Sequence, residues 1–105
     1  MNLYLLSKLS EINYRMAIHP ENAIKRLASE THNILWLPSE YIPEQYKKEY
    51  AELINLLSDS VKSISVPGAI PSSLGKIRKD TAIKYIKLLF DIQDSLQDSY
   101  NSELR

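Results

Sequence analysis

The side chains that could do chemistry are few and poorly spaced for it. His19 and His32 are the only histidines, and neither has a second His, Asp or Glu three or four positions away to bring two metal ligands onto one helical face. His19 stands before Pro20 at an expected helix boundary, and His32 is expected on a partly solvated face. Carboxylates pair at helical spacing as Glu40/Glu44, Glu49/Glu52 and Asp94/Asp98. General acid–base work requires one member of such a pair to be buried with a raised pKa, whereas the Lys, Ser and Gln neighbours of these pairs are typical of a wet surface. Ser72-Ser73 has no nearby histidine to activate a hydroxyl, and Gly68 and Gly75 do not form the glycine-rich turn that cradles phosphate. Cysteine is absent, which removes thiol and disulfide chemistry. No catalytic residue, metal or cofactor is assigned, and the chain is read as non-enzymatic.

Two groups of residues point instead to binding. Trp36-Leu37-Pro38 and Tyr41-Ile42, with Tyr46 beyond, gather aromatic and apolar groups around a proline corner. Aromatic side chains with a polar tip are enriched at protein interfaces, so Trp36, Tyr41, Ile42 and Tyr46 are the candidate partner-binding residues. Lys76, Arg78, Lys79, Lys84 and Lys87 stand against Asp80 alone, a local excess of four positive charges that could meet phosphates, with Tyr85 available for stacking. Asp91, Asp94 and Asp98 follow on the same helix and balance that excess, and lysines at such positions commonly serve only to solvate a helix.

These groups need elements to position them. The chain has 105 residues, 44% hydrophobic and 25% charged, enough for one core, and its formal net charge of zero provides no global field toward nucleic acid or an acidic membrane. The N-terminus does not read as a signal peptide and no window approaches eighteen apolar residues, so a cytoplasmic protein without a membrane span is expected. Leu5, Leu9, Ile12 and Met16, at spacings of four, three and four, predict a first helix over 2–18. Pro20 in a first turn, with Glu21, predicts a second helix whose inner face is Ala23, Ile24, Leu27, Ala28, Thr31 and Ile34 or Leu35.

Pro38 and Pro43 bracket a structured corner, and Pro43 suits the first turn of a third helix carrying Tyr46, Tyr50, Leu53 and Leu57 to about Asp59. Residues 60–76 collect Ser, Pro and Gly and read as the longest loop, pinned by Val66, Ile70 and Leu74, with a short helical turn at 72–77. Asp80 as N-cap opens a fourth helix to about Ser99, with Ala82, Ile86, Leu89, Ile92 and Leu96 inward. The expected fold is all-α: a small four-helix bundle with a longer loop before the last helix, one domain over 1–100 and a loose tail over 101–105.

Taken in order, Leu3-Tyr4 with Ser7 and Leu9, Arg26-Leu27, the Tyr41-Ile42-Pro43 corner, Leu53 with Leu57, and Thr81-Ala82 with Lys84 and Leu89 resemble a loose, uncharacterised family of short bacterial all-helical proteins. The resemblance implies the fold and a bacterial origin, and it carries no site residues. Tyr85-Ile86 departs from the large-then-small pair that family shows in its last helix. The leading expectation is a protein–protein interaction module of accessory, adaptor or immunity type whose partner the sequence does not name, with a homodimer as one way to cover spare apolar surface. A nucleic-acid-associated protein using the 76–87 basic residues is the alternative.

Overall fold

Leu5, Leu9, Ile12 and Met16 are each at most 1% exposed, and this stripe is what folds α1 (Leu3–Ile18) against the rest of the chain in the computed structural model, which describes residues 3–62 and 76–104. The expected loop with Val66, Ile70 and Leu74, and all but the end of the turn expected at 72–77, lie outside the described residues. Among those residues the structure is all-α, with four helices and no strand, and no helix long and apolar enough to cross a membrane.

The second helix, α2 (Ala23–Leu35), begins later than the proline suggests. Asn22 is its cap: the Asn22 Oδ1 accepts the Lys25 N–H at 3.0 Å, satisfying one of the donors that a helix start leaves unpaired. Pro20 and Glu21 therefore belong to the connection, where the His19 Nδ1 accepts the Glu21 N–H at 3.1 Å. Ala23, Leu27, Thr31 and Ile34 turn inward as the spacing predicts.

Pro38 ends this run, and two 3-10 turns, Ser39–Tyr41 and Glu44–Tyr46, make the corner. The second turn runs directly into α3 (Lys47–Lys62), so Pro43 opens the 3-10 turn rather than the α-helix, and Tyr46 precedes α3. The last helix, α4 (Lys79–Glu103), is capped by Arg78, whose side chain makes no capping bond; Asp80 is inside the first turn rather than at the cap. At its other end α4 carries Asn101–Glu103 in its final turn, where a loose tail was expected, with Gln97 Nε2 donating to Asn101 Oδ1 at 3.1 Å.

Helices α2 and α4 each touch the other three and form the centre of the bundle. Leu27, Ile34, Leu53, Leu57, Leu89 and Ile92, none of them accessible to solvent, meet there with the α1 stripe. Truncating one such Leu removes its transfer free energy and leaves a cavity, a cost of about 2–5 kcal/mol.

Two polar side chains inside this core reach across to a neighbouring helix. Asn13, 1% exposed on α1, donates from Nδ2 to the Leu89 carbonyl at 3.1 Å and to Gln93 Oε1 at 2.7 Å, tying α1 to α4 in one register, while its Oδ1 has no partner. Asn13→Ala is expected to lower the unfolding free energy by about 1–3 kcal/mol, read as a lower urea midpoint at unchanged slope.

Tyr50, 3% exposed, directs its hydroxyl at the Ile34 carbonyl 3.5 Å away, and burial pushes its phenol up from 10.0 to about 12. A folded-state pKa above the unfolded one means the contribution is complete below pH 10 and is lost as pH rises toward 12. Between pH 8 and 11 the wild type should lose about 1.4 kcal/mol relative to Tyr50→Phe, measured by denaturant unfolding of both proteins in parallel.

Candidate functional site

Trp36 is the largest side chain in the sequence and one of the most exposed, at 81%. Its position follows from how α2 stops. Trp36 is the C-cap, with its N–H still donating to the His32 carbonyl at 3.2 Å, and the next residue, Leu37, is 7% exposed and packed into the core before Pro38 forbids another turn. An indole set between a helix terminus and a buried leucine is held outward by backbone rather than by its own contacts.

Beside it, α1 supplies a second stripe next to its core face: Tyr4, Lys8, Glu11 and Arg15, at spacings of four, three and four. With Ile12 at the base and Asn33, Trp36 and Leu37 from the end of α2, they line a groove of about 400 Å³. Tyr4 is 58% exposed, and the Lys8 ammonium lies 5.8 Å from the centre of its ring and 3.7 Å from the Glu11 carboxylate.

One lining residue, Arg15, is held in an ion pair with the buried Glu30. Arg15 Nε is 3.1 Å from both carboxylate oxygens of Glu30, Arg15 Nη2 is 2.9 Å from Oε1, and Asn33 Nδ2 adds a further donor at 3.1 Å. Glu30 is 5% exposed, while the Arg15 side chain remains nearly half open to solvent. The hydrogen bonds from Arg15 to Glu30 outweigh its partial desolvation and hold the guanidinium more firmly in its charged form. A fork of donors on a buried carboxylate is the strong form of such pairing, and it orients Arg15 along the groove.

Of the residues singled out from the sequence, Trp36 and Tyr41 are exposed, the latter at 52% on the first 3-10 turn, but Tyr41 does not line the Trp36 groove. Ile42 is corrected: at 3% exposure it is a core residue between the two turns and not part of the exposed surface. Tyr46 is half-buried against the core. Lys76, Arg78, Lys79, Lys84 and Lys87 are all exposed. By helical spacing Lys84 and Lys87 share a stripe with Asp80 and Asp91, while Lys79 points well away from it, so the five cations do not form one continuous face. Glu40, Glu44, Glu52, Asp94 and Asp98 are exposed and Glu49 is half-buried, in keeping with the solvated reading of the pairs.

Sequence reasoning missed Glu30, the buried carboxylate. Its signal was present: Leu27, Glu30, Thr31 and Ile34 follow the inner-face pattern, and a charge on such a face requires a partner from a neighbouring helix. Tyr4, Lys8, Glu11 and Arg15 were likewise readable as a stripe, though not as one side of a groove. Arg15→Ala leaves the Glu30 carboxylate buried with only Asn33 and is expected to cost about 3 kcal/mol in chemical unfolding; Glu30→Gln keeps an acceptor and should cost about 1–2 kcal/mol. No family model, curated protein or solved structure matches this chain.

Proposed function

We propose that the protein is a non-enzymatic interaction module that docks a partner protein on the edge formed by Trp36, Tyr4 and Lys8. The observation that carries this reading is the exposure of the one tryptophan at the C-terminal end of α2, beside a second exposed aromatic and a lysine. An exposed indole gains free energy only when something covers it, and Trp, Tyr and Arg are the residue types that most often dominate interface energetics. The complementary surface has an apolar slot for the indole and a carboxylate near its rim for Lys8. Tyr41, on the neighbouring 3-10 turn, extends the contact to a partner that reaches around the corner.

Purification of the tagged protein from its own host, followed by mass spectrometry, should yield a stoichiometric protein. Binding of that protein should weaken by about 30-fold or more with Trp36→Ala. The Arg78→Ala/Lys79→Ala variant should bind it unchanged. Nucleic acid in the eluate, released by salt and lost with Arg78 and Lys79 rather than with Trp36, would overturn the reading in favour of the basic residues.

A further inference from the structure

Helix α4 and the residues that lead into it separate their charges in an order that the helix's own stability does not explain. From Lys76 to Lys87 there are five cations and one anion, and from Leu88 to Leu104 there are four anions and no cation. This order is the reverse of what a helix favours, since its N-terminal end carries partial positive charge and its C-terminal end partial negative charge. Arg78, at the cap, and Lys79 face the positive end, and Glu103 occupies the last turn.

The charges nearer the middle fall on one line. Asp80, Lys84, Lys87, Asp91, Asp94 and Asp98 recur at alternating spacings of four and three, close to the 3.6-residue helical period, which keeps them in one stripe along the length of the helix. All six are exposed except Asp91, which is half-buried, and none has an ion-pair partner among the described residues. Beside the acidic half, the second 3-10 turn and α4 enclose a shallow groove of about 460 Å³, with Gln45 and Tyr46 on its far wall.

The geometry points to a second copy of this chain as the occupant: two α4 helices pair antiparallel about a two-fold axis passing near Asp91. Antiparallel pairing about that axis sets Lys84 opposite Asp98 of the second copy and Lys87 opposite Asp94, and the symmetry repeats both pairs, giving four ion pairs between copies. The lysines of one copy enter the acidic groove of the other. Asp80 falls opposite the neutral Asn101 and Ser102, so the acidic residue at the start of the stripe meets no like charge. Only Asp91 approaches its own counterpart. The helix dipoles oppose each other in this arrangement, which also favours it.

This surface is distinct from the Trp36 edge, and the assembly is salt-sensitive because exposed ion pairs are screened as the Debye length falls from about 30 Å at 0.01 M to about 3 Å at 1 M salt. Sedimentation of the full chain at high micromolar concentration in about 10 mM salt should give twice the 12.1 kDa chain mass, reverting to 12.1 kDa in about 1 M salt. Lys84→Asp/Lys87→Asp and Asp94→Lys/Asp98→Lys each make the stripe repel its own copy, so each variant alone should be monomeric in low salt. Mixed in equal amounts they should form a heterodimer, which also shows that both are folded. A wild type that is monomeric in low salt, a charge variant that self-associates like the wild type, or a mixture that stays monomeric would each overturn the proposal. So would a salt-insensitive dimer lost with Trp36→Ala, which would assign self-association to the edge proposed for partner docking.

Discussion

A carboxylate buried between two helices is costly without a partner, and the pairing of Glu30 with Arg15 favours one placement of α1 against α2. The guanidinium fork accepts one geometry well, so sliding one helix past the other by a turn would separate the pair and leave a charge in the core. The rest of the edge follows from that register. In antiparallel helices, one turn back along α1 is one turn forward along α2, so fixing Arg15 at Glu30 sets Glu11 and Ile12 beside Asn33, and Lys8 beside Trp36 and Leu37. These are the residues that line the groove.

Asn13 plays the corresponding part on the other side of α1. Leucines and isoleucines along an α1–α4 seam would pack nearly as well in neighbouring registers, because apolar contact is not directional. An amide that must reach both the Leu89 carbonyl and Gln93 does discriminate among them. The two polar groups thus place α1 against both central helices, and apolar burial supplies the stability once the placement is made.

Much of the fold was legible because its signals are local. The 4-3-4 spacing of Leu5, Leu9, Ile12 and Met16, and the inner faces read for α2 and α4, are properties of single helices. The misplacements are local too, where two residues compete for one role. Asn22 outcompetes Pro20 as the start of α2 because its side chain accepts a backbone N–H, and Asp80 yields the cap of α4 to Arg78, which stands two residues earlier. What stayed hidden was tertiary. That Ile42 turns inward while Tyr41 turns out depends on two 3-10 turns packed against the bundle, and that Trp36 shares a groove with Tyr4 depends on a register fixed by a buried ion pair. Neither is written in the spacing of one segment.

The exposure of Trp36 has an optical consequence. It is the only tryptophan, and its indole is almost as accessible in the folded chain as it would be in an unfolded one. Its emission should therefore lie near that of indole in water in both states, and it will barely register denaturation. The same probe is well placed to register a covering surface, because desolvating the indole shifts its emission to shorter wavelength. Nature has in effect labelled the edge rather than the core, and reporting on foldedness passes to the buried phenol of Tyr50.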